Sequence, residues 1–121
     1  MLDQAVLLRV SHHAVIRYLE RVLGLPVDEW LVGCDHLNDY GKAQIACERA
    51  GLPVDAVRLS MLIEPVLKAM QTRSSQKAKI ITRDAIYVVT GGNLVTVLAP
   101  GMQAFRKRKY KAYKSRKLEE V

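Results

Sequence analysis

The sequence is poor in the residues that stabilise small extracellular domains or that hold metal ions. It has two cysteines in 121 residues, Cys34 and Cys47, which are too few for a disulfide framework or a metal cage. Cys34 and His36 together would supply only two of the four ligands that zinc usually takes. We therefore expect two reduced thiols in a cytoplasmic protein that binds no metal and no other cofactor.

Long apolar runs are also missing. No stretch approaches the ~20 residues of a membrane-spanning helix, and the N-terminus lacks the layout of a secretory signal, so we expect no membrane contact. Gly91 and Gly92 stand between two β-rich segments, which indicates a hairpin turn rather than a nucleotide-binding loop. Half of the residues are apolar and 26% are charged, a composition typical of one globular domain.

Acidic residues are scarce in one segment. The chain carries 19 Lys and Arg against 12 Asp and Glu, a formal net charge of +7. Residues 106–121 hold eight basic and two acidic side chains, a net of +6, whereas residues 1–105 hold 11 basic and 10 acidic ones. Concentrated positive charge attracts polyanions, because each neutralised phosphate releases counterions. We therefore divide the chain into a domain over residues 1–105 and a basic tail over residues 106–121.

The basic tail combines its cations with aromatic residues. Phe105, Tyr110 and Tyr113 alternate with basic side chains. Aromatic rings can stack on bases while cations follow the sugar–phosphate backbone. The tail, as a helix or an extended arm, is therefore predicted to bind RNA or the ribosome; the alternative is a solvated extension. The predicted nucleic-acid-binding residues are Arg106, Lys107, Arg108, Lys109, Tyr110, Lys111, Tyr113, Lys114, Arg116 and Lys117.

The first part of the chain predicts a strand followed by a helix. A short apolar run predicts the strand over residues 5–10. Ser11 is a suitable N-cap for an amphipathic helix that runs from His12 to Leu23 and ends at Gly24. The domain is thus expected to belong to the α+β class, with its helices ahead of its sheet.

The middle of the chain is predicted to be helical and its last third to form a sheet. Helices are expected at residues 26–31, at residues 35–50 and from Pro53 onward. Pro65 should kink or break the last of these near Glu64. Three β-rich runs with tight turns between them predict an antiparallel meander. These runs are residues 78–82, 85–89 and 94–99.

The predicted opening helix carries a row of three side chains suited to phosphate chemistry. His13, Arg17 and Arg21 are spaced by four and lie on one side of the helix. Imidazole titrates near neutral pH, and guanidinium groups match phosphate geometry. Metal-free RNA cleavage needs a base for the 2′-hydroxyl, cations for the phosphorane and an acid for the leaving 5′-oxygen. The alternative interpretation is a solvent-exposed stripe with Glu–Arg pairs.

The same helix fits the pattern HAxxRxxER through His13, Ala14, Arg17, Glu20 and Arg21. It resembles the opening helix of a small family of bacterial and phage domains, which is itself similar to the RelE-like and barnase–EndoU–colicin-like ribonuclease fold. The resemblance covers residues 5–24 and 77–99. It implies a toxin-type endoribonuclease that needs no metal, in which His13 is the base or acid and Arg17 and Arg21 bind phosphate.

The resemblance further implies that the sheet contributes to the site. Arg83 is then expected to clamp phosphate, and Tyr87 to stack on a base or donate a proton. A half-buried strand aromatic is the alternative interpretation of Tyr87. The alternative function is a non-catalytic phage or mobile-element accessory protein that binds nucleic acid or a nucleic-acid-processing partner. A protein inhibitor and a homodimer are both compatible with the sequence.

Overall fold

The computed structural model describes residues 4–101, and these form an α+β domain with six helices and a three-stranded antiparallel sheet. The α+β class is confirmed, whereas the predicted basic tail lies outside the described residues. The helices are α1 Gln4–Leu7, α2 His12–Arg21, α3 Val27–Trp30, α4 Asp39–Ala50, α5 Val54–Met61 and α6 Glu64–Thr72. The strands are β1 Ala78–Ile81, β2 Ile86–Thr90 and β3 Asn93–Leu98.

The predicted N-terminal strand over residues 5–10 is wrong. This segment begins with the single helical turn of α1. Its β-type contact is limited to one isolated parallel bridge between Val10 and Leu94, supported by a hydrogen bond from Ser11 N to the Leu94 carbonyl at 3.0 Å. A short apolar run satisfies a helix or a strand equally well, so its periodicity could not decide between them.

The predicted opening helix is confirmed as α2. Ser11 Oγ accepts a hydrogen bond from Ala14 N at 2.9 Å and so caps the first turn. The helix ends at Arg21, two residues earlier than predicted, and Gly24 follows with a φ of 70°. α2 packs against both α4 and β3. It therefore lies between the other helices and the sheet, where it can present side chains to either.

The middle helices follow the prediction with shifted boundaries. α4 begins at Asp39, because Asn38 Oδ1 accepts from Gly41 N at 3.0 Å and caps the helix there. The helix after Pro53 is broken rather than kinked, and its two pieces are α5 and α6. Pro65 falls in the first turn of α6, where its missing N–H removes no helical hydrogen bond.

The predicted meander is confirmed. The strands pair in the order β1-β2-β3, with Tyr87 opposite Ile80 on one side and Val97 on the other. An irregularity between Val88 and Val89 shifts the β2–β3 register. The sheet face that bears Tyr87 and Val97 joins the main core with the helices. Within residues 4–101, no helix is long and apolar enough to cross a membrane.

Candidate functional site

A pocket of about 420 Å³ lies between α2 and the segment that runs from α3 to α4. Its floor is apolar and includes Ile16, Val27 and Leu31. Its polar lining brings together an imidazole, two cations and three carboxylates. These groups belong to His13, Arg17, Asp28, Asp35, Asp39 and Lys42. The polar lining thus contains two residues of the predicted catalytic row and four residues outside the predicted site.

His13 presents a neutral imidazole to this pocket. Burial lowers the pKa of His13 below its ordinary value, and the Arg17 guanidinium lowers it further. The Asp39 carboxylate acts in the opposite direction on the same pKa but does not outweigh these two effects. A ring that stays unprotonated near neutral pH can accept a proton, so His13 is suited to the role of a base.

Arg17 is only partly satisfied by its own protein. Its Nη1 donates to Glu20 Oε1 at 2.8 Å, an i,i+3 ion pair on α2. Its Nε is buried and has no hydrogen-bond partner among residues 4–101. An unsatisfied buried donor costs free energy, about 1–3 kcal/mol.

Arg21 is turned away from the pocket and towards the sheet. Its Nη1 donates to the Val97 carbonyl at 2.9 Å, and its Nε lies 4.0 Å from Glu20 Oε1. These contacts join α2 to β3 and hold the Arg21 side chain at the sheet. The row predicted from the four-residue spacing therefore divides: His13 and Arg17 line the pocket, and Arg21 does not.

The two predicted sheet residues do not line the pocket either. Arg83 is exposed in the turn between β1 and β2. Tyr87 is 5% exposed and belongs to the main core. Burial, followed by the effects of Tyr18 and Asp84, raises the pKa of Tyr87 to about 12. Tyr87 thus matches the alternative interpretation of a strand aromatic, because stacking on a base would require it to leave the core.

Asp39 and Lys42 are the pocket residues that most extend the predicted set. Both lie in the first turn of α4, three residues apart and therefore on one side of that helix. His13 and Asp39 line the same pocket, and the Asp39 carboxylate acts to raise the pKa of His13. Only the packing of α2 against α4 brings them together, so spacing along the sequence gave no signal for this pair.

His12, the neighbour of His13, serves a different purpose. Its Nε2 lies 3.3 Å from Nη2 of Arg58, which is itself 5% exposed. A guanidinium only donates, so His12 Nε2 accepts and its ring is neutral with the proton on Nδ1. Arg58 Nε also donates to the Val10 carbonyl at 3.1 Å. His12 thus helps to fix the start of α2 rather than to line the pocket.

The pocket is not dominated by positive charge. Asp28, Asp35 and Asp39 outnumber the cations Arg17 and Lys42, and Arg17 already pairs with Glu20. Despite these carboxylates, no group of three or more His, Cys, Asp or Glu within residues 4–101 is arranged to hold a metal ion. The arrangement can therefore support proton transfer at a bound ester more readily than strong attraction of a polyanion.

These features define an α+β domain with a small acid–base pocket between two of its helices. No family model matches the chain, and neither a curated protein nor a solved structure matches it significantly. The resemblance to the RelE-like and barnase-like ribonuclease fold consequently stays a prediction.

Proposed function

We propose that this protein is a toxin-type endoribonuclease of the cytoplasm that cleaves RNA, free or in the ribosome, without a metal ion. One observation carries the proposal: a neutral histidine, a carboxylate and two cations line a single pocket. The chemistry of RNA supplies its own nucleophile, the 2′-hydroxyl, so a base, an acid and a charge-stabilising cation are sufficient.

In the proposed reaction, His13 takes the proton from the 2′-hydroxyl. The 2′-oxygen then forms a bond to phosphorus, and the bond from phosphorus to the 5′-oxygen breaks. The Asp39 carboxylate, which acts to raise the pKa of His13, stabilises the imidazolium so formed. The Lys42 ammonium gives a proton to the leaving 5′-oxygen, and Arg17 stabilises the charge on the phosphorane. The products are a 2′,3′-cyclic phosphate and a free 5′-hydroxyl, after which His13 and Lys42 exchange protons with water.

The surplus of carboxylates favours a second candidate function, a non-catalytic protein that binds nucleic acid or a nucleic-acid-processing partner. Asp28, Asp35 and Asp39 repel a phosphate chain at the pocket. Affinity for RNA would then have to come from the positive charge of residues 106–121. In this case His13 has a structural role, and bound RNA stays intact.

The deciding experiment incubates the full chain with end-labelled single-stranded RNA in the presence of EDTA. The expected product carries a 2′,3′-cyclic phosphate, and a 2′-O-methyl RNA of the same sequence should stay intact because it lacks the nucleophile. His13→Ala is expected to slow cleavage by about 10²–10⁴-fold, the usual contribution of a general base. Arg17→Ala should slow it by about 10²–10³-fold through loss of charge stabilisation.

His36→Ala and Lys68→Ala are the matched controls, because both side chains are exposed and neither lines the pocket. Both should cleave at the rate of the unmodified chain. Equal cleavage by His13→Ala and the unmodified chain contradicts the assignment of His13. Bound but uncleaved RNA with all variants establishes the second candidate instead.

A further inference from the structure

A second pocket, of about 500 Å³, lies where the start of α5 meets α1, α2 and α4. It shares no lining residue with the pocket of His13 and Arg17, so its role is independent of the proposed cleavage of RNA. Its lining combines the guanidinium of Arg58 and the carboxylate of Asp55 with apolar and aromatic side chains, which include Leu8, Tyr40 and Val54. A site of this volume and composition is suited to a small molecule.

Arg58 has more N–H donors than the described chain satisfies. A guanidinium has five such donors. Nε donates to the Val10 carbonyl at 3.1 Å, Nη1 to Asp55 Oδ1 at 3.3 Å and Nη2 to His12 Nε2 at 3.3 Å. Within residues 4–101, the second N–H of Nη1 and that of Nη2 have no acceptor. Because Arg58 lines the pocket, a ligand with a carboxylate would gain two charge-assisted hydrogen bonds from these donors.

The second pocket carries one full charge of each sign. Arg58 Nη1 and Asp55 Oδ1 lie 3.3 Å apart, and the Asp55 side chain is 50% exposed, which leaves its carboxylate open to a further donor. A ligand with only a negative charge would be repelled by Asp55, and a ligand with only a positive charge would be repelled by Arg58. A zwitterion is attracted by both residues.

We propose that the second pocket binds a free α-amino acid with a large apolar or aromatic side chain. The ligand carboxylate accepts from Nη1 and Nη2 of Arg58, and the ligand ammonium group donates to Asp55. The two backbone bonds of an α-amino acid place its nitrogen about 2.5 Å from its carboxyl carbon. This separation is close to that of Arg58 and Asp55, so four charges of alternating sign fit together. The two termini of a peptide are too far apart for this arrangement.

The apolar part of the pocket accounts for the side chain of the proposed ligand. Tyr40 and Leu8 are 56% and 61% exposed, although both are large. The Tyr40 ring meets the His12 ring edge to face, with centroids 5.1 Å apart, and this contact orients it. An apolar ligand side chain that packs on Tyr40 and Leu8 removes their exposed surface from water, which favours binding.

The test follows the amide NMR signals of the full chain during titration with small molecules. L-Phenylalanine and L-leucine at millimolar concentration should shift the signals of pocket residues such as Tyr40 and Asp55. Hydrocinnamate lacks the ammonium group and phenethylamine lacks the carboxylate. Each should bind about 10–100-fold more weakly than L-phenylalanine, as expected for loss of hydrogen bonds to a charged group.

Three outcomes of this titration overturn the proposal. The first is an absence of shifts with both amino acids. The second is equal affinity for L-phenylalanine and hydrocinnamate, which would show that the pocket recognises a carboxylate alone. The third is a set of shifts with guanosine and with neither amino acid, which would show that the pocket takes a neutral ring.

Asp55→Asn tests the contact with the ammonium group without removing the buried Arg58. This variant should bind L-phenylalanine about tenfold more weakly. It should bind hydrocinnamate at least as tightly as the unmodified chain does, because the repulsion between two carboxylates is gone. Asp84→Asn, at an exposed carboxylate outside the second pocket, is the matched control and should change neither affinity. Equal effects of Asp55→Asn on the two ligands would contradict the proposed contact.

Discussion

At the scale of single residues, the pair His12 and His13 shows how one position along a helix changes the role of a side chain. His12 accepts from buried Arg58 and meets the edge of Tyr40 with ring centroids 5.1 Å apart. His13, one residue on, lines the pocket together with Arg17 and Asp39. The row with Arg17 indicated His13 from the sequence, but nothing in the row indicated the partner of His12, which is 46 residues away.

Both histidines predict a loss of stability in acid. Burial, followed by Arg58 for His12 and by Arg17 for His13, lowers the pKa of each ring below its ordinary value of 6.5. The folded chain therefore binds fewer protons on these rings than the unfolded chain does. Stability is full above a pH of about 6.5 and falls as the pH drops below it. Urea denaturation at pH values of about 7.5 and 5 measures this loss.

A matched pair of variants isolates the contribution of His12 from that of other titrating groups. His12→Gln keeps an acceptor for Arg58 without a titrating ring, so its stability should fall less between the two pH values. His36 is exposed and lies away from both His12 and His13 in the described contacts. His36→Gln should therefore lose as much stability between the two pH values as the unmodified chain does. The explanation is wrong when both variants lose stability in acid as steeply as the unmodified chain.

At the scale of elements, the β2–β3 hairpin is held in place by the end of α6. Gly91 N donates to the Ser74 carbonyl at 2.7 Å. A Cβ atom on Gly92 would lie 3.2 Å from both Arg73 Cγ and Arg9 Nη1 and 3.3 Å from the Met70 carbonyl oxygen. The hairpin turn is therefore a contact surface as well as a connection.

This contact predicts different costs for two adjacent substitutions. Gly91 and Gly92 both have positive φ, 61° and 83°, so alanine at either position should cost about 1–2 kcal/mol of unfolding free energy. Gly91 has open space around its Cβ direction, whereas Gly92 does not. Gly92→Ala should therefore cost about 1–3 kcal/mol more than Gly91→Ala, as overpacking does. Chemical denaturation of both variants gives the difference in unfolding free energy. Equal costs would show that the side chains around Gly92 can move aside without loss of stability.

Some helices and strands could be predicted from local sequence patterns, and others could not. The meander and α2 were predicted because turn residues, caps and periodicity are local signals, as with Ser11 and its bond to Ala14. The segment at residues 5–10 was predicted wrongly because a short apolar run fits a helical turn and a strand equally well, and its one β-type contact, Val10 with Leu94, joins positions 84 residues apart. Local periodicity contains no information about such a contact.

At the scale of the whole molecule, the pocket arises from packing rather than from a motif. His13 and Arg17 were predicted as a pair on one helix, and the structure keeps them together. Asp39 and Lys42 belong to α4. They join His13 and Arg17 in the pocket only because α2 packs against α4. Arg21 does not line the pocket, because its side chain is turned towards the Val97 carbonyl of β3. Residues on one helix face could be predicted, but their partners across the interface could not.

The uneven distribution of charge along the chain predicts which residues set the salt dependence of RNA binding. Residues 1–105 are close to neutral, so contacts between RNA phosphates and the protein should come mainly from residues 106–121. Replacing Arg106, Lys107, Arg108 and Lys109 by glutamine removes up to four such contacts. With single-stranded 2′-O-methyl RNA, the slope of log K against log salt concentration should become less steep by about 3, at ~0.7 per contact.

Fluorescence anisotropy between about 50 and 200 mM salt measures this slope. A variant with glutamine at Arg49 and Lys68, two exposed cations of the folded domain, is the control and should keep the slope of the unmodified chain. If the domain itself bound the phosphate chain, the tail variant would keep the slope and pocket variants such as Lys42→Gln would reduce it. The two slopes therefore separate binding by the pocket from binding by the tail, because each removed phosphate contact lowers the salt dependence wherever it lies.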